Sequence, residues 1–433
     1  MNPRTPLLFA VMGLLLVYVG WSQSPSVALG LLTMCLLSAI MALGVNIQWG
    51  YAGLFSTGTM GFVALGGLAA VLTSMPHEAE NWAAGGPRAL FALLVGAGII
   101  VAAVLLWKRL PPGTMRTAAV GGVLAVGFWV YRWLYDPATI AIEGTNTAAS
   151  GYLGGLGLPI LFSWITGALL AAAVAWVIGK ISLGLRSDYL AIATLGIAEV
   201  IIAVLKNEDW LSRGVRNVNG LPREPVPYEV DLQASPEFIA WAEWLGMDTV
   251  EASSLFVKLC FVAIFVVVLG VLMWMSERAW TSPWGRMMRA IRDNETAARA
   301  MGKDVKARHL QVFILGSAIL GMAGAMLVTL DGLMTPGGYQ PLRFTFLIWV
   351  MVIVGGSGNN WGSVLGGFLI WFLWVQVEPM GLWVMDLVTG TLAEDSPLRA
   401  HLIEAAAHMR LITMGIILLL VLRFAPRGLI PEK

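Results

Sequence analysis

About twelve apolar runs divide the 433-residue sequence, and this feature restricts the possible fold most strongly. A helix needs about 20 apolar residues to cross the hydrocarbon core of a bilayer. With 58% hydrophobic and only 12% charged residues, the chain is too apolar for a soluble protein of this length. We therefore predict an all-α polytopic integral membrane protein with about twelve transmembrane helices. The runs lie at residues 6–21, 27–47, 51–73, 88–107, 116–135, 158–179, 188–206, 255–275, 308–330, 344–356, 361–378 and 408–424.

The distribution of charge predicts the orientation of these spans. If the amino terminus is cytoplasmic, most of the 27 basic residues fall in cytoplasmic loops, and the stretch from Glu208 to Glu251 on the other side is acidic. Excess lysine and arginine on the cytoplasmic side is the usual bias of such proteins. We therefore expect both termini to be cytoplasmic. The net charge of +1 provides no basis for nucleic-acid binding.

Several kinds of chemistry receive no support from the sequence. Cys35 and Cys260 both lie in or beside apolar runs, which suggests buried thiols rather than a disulfide or metal framework. His401, Glu404 and His408 can share one helical face, and a hydrated helix entrance explains them better than a metal site. No Gly-x-x-x-x-Gly-Lys-Ser/Thr motif occurs, so the chain has no P-loop for ATP. We expect neither an enzyme nor a bound cofactor.

The most basic polar segment, residues 276–307, separates two of the apolar runs. Ser282 and Pro283 suit the start of a helix, Asp293 and Asn294 favour a break with a second cap, and Gly302 suits a left-handed stop. The sequence predicts two short helices joined at an angle. Such a pair either fixes topology and contacts anionic membrane lipid, or docks a soluble partner.

The order of residues in this segment resembles a known family. Residues 284–298, WGRMMRAIRDNETAA, followed by Met301 and Gly302, resemble the coupling loop of branched-chain amino acid ABC transporter permeases. Residues 43–56, 187–200, 355–362 and 426–429 resemble other segments of that family. The resemblance covers most of 30–73 and 158–430.

This resemblance implies a multi-pass permease subunit of a bacterial inner membrane that works in a complex. Its implied partners are a second homologous permease, two cytoplasmic ABC ATPase subunits that bind ATP and magnesium, and a periplasmic amino-acid-binding protein. The residues expected to couple to the ATPase are Arg286, Arg289, Arg292, Glu295, Ala298 and Gly302. A urea or short-chain amide permease of the same class, and a secondary transporter driven by protons through Glu199, remain alternatives.

The resemblance also suggests three parts: amino-terminal spans in 1–73, two additional spans in 74–157 outside the compact family core, and the main core in 158–433. Within 158–433, the run at 344–354 spans only about 16 Å as a helix. It therefore either continues through the glycines that follow or forms a re-entrant pair with the next run. Residues 236–246 predict a short amphipathic helix at the membrane surface.

Polar and glycine-rich positions within the spans are candidates for the translocation pathway, because irregular backbone and ionisable groups are tolerated there only inside protein or beside water. Helix packing and helix-to-helix hydrogen bonds are the competing interpretation. The candidates are Asn46, Ser56, Thr57, Glu199, Gly355, Gly356 and Ser357.

Overall fold

The computed structural model describes residues 4–145, 151–390, 401, 404 and 408–432, and these residues are predominantly helical. The helices are α1 Arg4–Ser22, α2 Pro25–Ala52, α3 Thr59–Ser74, α4 Ala79–Arg109, α5 Thr114–Thr145, α6 Ile160–Ser182, α7 Ser187–Asn207, α8 Asp209–Ser212, α9 Glu229–Ala234, α10 Pro236–Trp244, α11 Thr249–Thr281, α12 Pro283–Asp293, α13 Glu295–Ala300, α14 Val305–Asp331, α15 Pro341–Gly355, α16 Asn360–Thr389 and α17 Met409–Phe424. The two-residue strands β1 (Val218–Asn219) and β2 (Leu333–Met334) pair antiparallel.

Each predicted apolar run coincides with one of these helices, which confirms the all-α polytopic class. Within the described part of the chain, nine helices are long and apolar enough to cross a membrane, and α3 and α15 are shorter apolar helices. α15 ends at Gly355 and the chain turns at Gly356, where φ is +118°. The alternative in which this helix continues through its glycines is therefore wrong.

The short length of α15 follows from the path of the chain before it. Residues 332–340 lead from the end of α14 into the bundle through β2 and a 3₁₀ turn, Pro336–Gly338. Tyr339 is buried there, and its hydroxyl occupies the space where a side chain at Gly67, midway along α3, would lie. Irregular backbone thus reaches the depth of the membrane inside protein, as the energetics of unpaired backbone groups require.

Helices α2, α3, α6 and α14 pack tightly at the centre of the bundle. Glycines allow the backbones of three of them to touch: a Cβ on Gly66 would collide with the carbonyl of Gly321, and one on Gly324 with the carbonyl of Val63. Gly167 of α6 meets the same stretch of α14. Small residues at helix interfaces in membranes permit this close approach, which maximises van der Waals contact.

Helices α4 and α5 form a hairpin at the side of the bundle. They pack mainly on each other, and most of their apolar side chains are exposed. The hairpin is attached near one end, where Tyr135 and the Trp210 Nε1–H both donate to Glu208, and the Asn81 amide donates to the Tyr152 carbonyl at 2.7 Å. The hairpin therefore lies beside the central packing rather than within it.

The basic segment folds as its capping residues predict. The Ser282 side chain accepts from the Gly285 N–H at 3.3 Å, Asn294 accepts from the Ala297 N–H at 2.9 Å, and Gly302 has a φ of +76°. Two short helices, α12 and α13, result, and we call them the coupling pair. The amphipathic helix predicted at 236–246 is present as α10.

Candidate coupling and translocation sites

The coupling pair lies on the bundle through an apolar face. The side chains of this contact are Ile47, Tyr51 and Ala52 of α2, Met288 and Ile291 of α12, Ala298 of α13, and Val305 and Val312 of α14. Burial of such side chains stabilises the contact by about 1.5–3 kcal/mol for each large aliphatic group. Ala298 is thus part of the attachment of the pair rather than of its exposed surface.

Tyr51 is the centre of this contact. Its ring lies 4.6 Å from that of Trp280 and 6.3 Å from that of Trp284. Its buried hydroxyl lies 3.0 Å from the Ser276 carbonyl and 2.9 Å from Asn360 Oδ1, so its proton has an acceptor on either side. The end of α2 is therefore joined both to the segment before the coupling pair and to α16.

Asn46 takes part in the same buried network. Its Nδ2 donates to Asn360 Oδ1 at 3.1 Å, and its Oδ1 accepts from the Gly358 N–H at 2.8 Å. The Asn360 amide in turn donates to Glu277 at 3.1 Å. Both ends of the Asn46 amide are engaged within the chain, which is the geometry of a residue that ties helices together.

Arg292 points into the chain. Its guanidinium donates to the Gly50 carbonyl, lies 2.8 Å from Glu432 Oε2, and contacts Asp293 at 3.2 Å. Burial by itself lowers the pKa of Arg292, but the bonds to Glu432 and Asp293 outweigh it and raise the pKa above its usual value. Arg292 therefore connects α12 to the end of α2 and to the carboxyl-terminal residues.

Residues 425–432, which we call the tail segment, lie against the end of α15. The Leu429 N–H donates to the Val354 carbonyl at 2.9 Å, and the Ile430 N–H donates to the Gly355 carbonyl at 2.9 Å. The tail segment thus satisfies carbonyls that the end of a helix leaves without partners. Nothing in the sequence around Glu432 signals its bond to Arg292, because the two residues are 140 positions apart.

Gly355 is the last residue of α15, and Gly356 and Ser357 lie in the turn between α15 and α16, next to the tail segment. A side chain at Gly355 or Gly356 would collide with the carbonyl of Gly362 or Ile430, so these glycines permit close backbone contact. Ser357 lines an open groove of about 630 Å³ together with Arg292 and residues of the tail segment. These three candidates therefore lie near the coupling pair.

The outer face of the coupling pair carries the remaining candidates. Arg286 is exposed and donates to the Thr281 carbonyl, whereas Arg289 lies 4.5 Å over the Trp280 ring. Glu295 forms an exposed ion pair with Arg299 one turn away. Gly302 is exposed as well.

Met301 belongs to the stretch that resembles the coupling loop, but it is not among the residues expected from the sequence to contact the ATPase. In the structure its side chain is 80% exposed at the end of α13. A large apolar side chain held out on an otherwise polar surface favours contact with another protein.

Ser56 and Thr57 lie in the break between α2 and α3. Thr57 donates to the Ala191 carbonyl at 2.6 Å and its N–H donates to the Thr194 hydroxyl at 3.0 Å. The Trp349 indole N–H donates to the Ser56 carbonyl at 3.2 Å. The break is thereby tied to α7 and α15.

Glu199 lies apart from these groups. Its side chain is exposed on α7 and faces an open groove that α7, α15, α16 and α17 line. Among the residues that the structure describes, none forms a hydrogen bond or ion pair with it. The structure therefore separates the candidates into a cluster around the coupling pair, a break tied to α7, and one carboxylate in a lateral groove.

Comparison with known proteins identifies the family. The sequence model of the branched-chain amino acid transport system permease component matches residues 119–422, well over half of the chain. The matched range begins within 74–157 and does not include 30–73. No solved structure matches the chain.

Individual relatives have the same description. The chain is 26% identical over 328 residues to the probable branched-chain amino acid transport permease protein LivM of Methanocaldococcus jannaschii. This alignment covers 73% of this chain and 82% of that protein. It is 24% identical over 363 residues to the high-affinity LivM permease of Salmonella typhimurium, an alignment that covers 83% of this chain and 66% of that protein. A probable LivH permease of M. jannaschii is 30% identical over 115 residues, covering 27% and 35%. The chain belongs to the family of permease components of branched-chain amino acid transport systems.

Proposed function

We propose that the chain is the membrane-spanning permease subunit of an ATP-driven importer of branched-chain amino acids, and that α12 and α13 transmit the motion of a separate ATPase. The observation that carries this proposal is the two-sided construction of the coupling pair. One face is packed on α2 and α14, and the other carries exposed charges and Met301. The relatives are branched-chain amino acid permeases, and none of the comparisons favours a urea permease or a proton-coupled transporter.

The complex that this function requires contains more chains. One of them is a second homologous permease, because relatives named LivM and LivH both match this sequence. Two cytoplasmic ATPase subunits and an external amino-acid-binding protein complete the proposed importer. The end of the bundle that carries the coupling pair and the tail segment would then lie on the cytoplasmic side of the inner membrane. The excess of arginine at this end supports that orientation. In this arrangement the chain itself catalyses no reaction.

The geometry suggests how such a subunit works. An ATPase can bias the permease only if the two conformations contact it differently. Movement of α12 would reach the end of α2 through Tyr51 and Arg292, and the turn between α15 and α16 through Glu432 and the tail segment. Coupling would therefore have a continuous route of buried and partly buried hydrogen bonds into the bundle.

Replacement of Met301 by glutamate tests the docking surface. We expect ATP-dependent leucine uptake by the reconstituted complex to fall about tenfold or more, because a charge would replace an apolar contact at the ATPase. Membrane insertion and yield should not change, since the side chain is 80% exposed. Glu295→Lys and Gly302→Asp are expected to lower uptake in the same way.

Met115→Glu is the matched control. Met115 is also 80% exposed, but it lies at the start of α5 in the lateral hairpin. Its replacement should leave uptake and copurification of the ATPase unchanged. Full uptake and full ATPase copurification in the Met301 variant would show that α13 is not part of the docking surface.

A further inference from the structure

The lateral groove beside Glu199 has features that the coupling role does not explain. It is open, has a volume of about 950 Å³, and includes Glu199, Lys206, Arg343, Trp374, Glu378 and Arg410 in its lining. It lies away from the coupling pair, on a face of the bundle made by α7, α15, α16 and α17.

Two of the charges in this groove lie near the middle of the membrane. Glu199 is twelve residues beyond Ser187, where α7 begins, and Arg343 is twelve residues before Gly355, where α15 ends. At 1.5 Å per residue each lies about 18 Å from the same end of the bundle, within a hydrocarbon core of about 30 Å. The two side chains are therefore at a similar depth, on neighbouring helices.

The surroundings of these two charges differ from those of the ion pair in the same groove. Arg410 and Glu378 form an ion pair with each other. In contrast, no residue in the described part of the chain forms an ion pair with Glu199 or Arg343. Lys206 has no ion pair there either, but it lies one residue before the end of α7, far from the depth of Glu199. The Arg343 guanidinium is held 5.0 Å over the Trp374 ring and 5.6 Å over the Phe344 ring. Contact with an aromatic face orients a guanidinium and leaves its donors available.

Unpaired charges at this depth are too costly to face lipid, so they face a hydrated passage or a ligand. The wall beside them is apolar and includes Leu342, Phe346, Leu347 and Met414. One carboxylate, one guanidinium and an aliphatic wall match the three parts of a zwitterionic amino acid with a branched aliphatic side chain.

We propose that this groove is a binding site for a zwitterionic α-amino acid during its passage through the membrane. Glu199 accepts hydrogen bonds from the ammonium group, Arg343 donates to the carboxylate, and the aliphatic side chain lies against Leu347 and Met414. The assignment rests on the proposed function, in which a second permease closes the open side of the groove.

The test compares three ligands in the purified complex in lipid nanodiscs, with binding followed by ligand-observed NMR. L-leucine carries both charged groups, 4-methylpentanoate lacks the ammonium, and 3-methylbutylamine lacks the carboxylate. Glu199→Gln should weaken leucine binding about ten- to hundredfold and leave 4-methylpentanoate binding unchanged. Arg343→Gln should weaken leucine and 4-methylpentanoate and leave 3-methylbutylamine unchanged. Glu243→Gln, an exposed position on α10, is the control and should alter none of the three.

The outcomes separate this inference from the function on which it rests. If the wild-type complex imports leucine with ATP but neither variant changes the discrimination between ligands, the assignment is wrong and the function stands. If the variants instead reduce recovery of the second permease and leave leucine binding unaltered, the two charges are subunit contacts and the assignment is wrong. A wild-type complex that imports no branched-chain amino acid overturns the function and this site together.

Discussion

Gly324→Val is expected to prevent most of the protein from reaching its folded state. A Cβ at this position would lie within 2.9 Å of the Val63 Cα and closer still to its carbonyl, and a backbone cannot move aside as a flexible side chain can. Helices α3 and α14 would have to separate, with loss of the contacts around Gly66 and Gly321. Overpacking typically lowers the free energy of unfolding by about 1–3 kcal/mol. We expect a loss at or above the upper end of that range here, because the collision is with backbone.

The measurement is the yield of monodisperse protein in detergent together with its thermal unfolding midpoint. Gly270→Val is the matched control, because Gly270 also lies within a spanning helix, α11, and a Cβ there meets no atom within 4 Å. The control should give wild-type yield and midpoint. A Gly324 variant with the yield and midpoint of wild type would mean that α3 and α14 do not pack as closely as described.

Arg292→Met is expected to leave the protein inserted and abundant but to reduce ATP-dependent leucine uptake about tenfold or more, an effect equivalent to at least about 1.4 kcal/mol of coupling. The arginine side chain is 21% exposed and its partner Glu432 26% exposed, so removal of the cation leaves a largely buried carboxylate without its partner. The loss of such a charged hydrogen bond costs about 1–3 kcal/mol locally. It also breaks the link from α12 to Gly50 and to the tail segment.

Several variants distinguish a specific link from a general loss of charge. Glu432→Gln should give a smaller defect, because the amide retains a hydrogen bond to Arg292. The double variant Arg292→Glu with Glu432→Arg should recover part of the uptake. Arg132→Met removes a cation from an exposed ion pair with Asp136, where the arginine is 54% exposed, and should change nothing measurable. ATP hydrolysis that stays tightly coupled to uptake in Arg292→Met would exclude the link as a route of coupling.

The predictions that the sequence supported best depend on local physics. Apolar length identified the spans, since a helix must be long and apolar to cross a bilayer. Capping residues identified the coupling pair, because Ser282 and Asn294 satisfy backbone N–H groups within their own first turns. The resemblance in residues 284–302 led to the family that the comparisons confirm.

The choice between pathway and packing roles could not be made from local signals. Asn46 and Glu199 are both polar residues in spanning helices, yet Asn46 bonds to Asn360 and Gly358, whereas Glu199 is exposed in a groove. Which side of a helix faces a neighbour depends on how the other helices pack. The sequence around Arg343 carries no signal of a groove, because a lone arginine at the start of an apolar run is usually at a membrane surface. The path of residues 332–340 places it instead in the open lateral groove that Glu199 also lines, twelve residues before the end of α15.

By itself, the sequence determined that this protein is a bundle of membrane-spanning helices with a basic segment of two short helices, because hydropathy and capping act over a few turns of one helix. Only the tertiary structure decided that Arg292 turns inward to Glu432, that glycines bring α3, α6 and α14 into backbone contact, and that Glu199 and Arg343 share one groove. Each of these features joins segments far apart in the chain, and the packing of the whole bundle sets which of them meet.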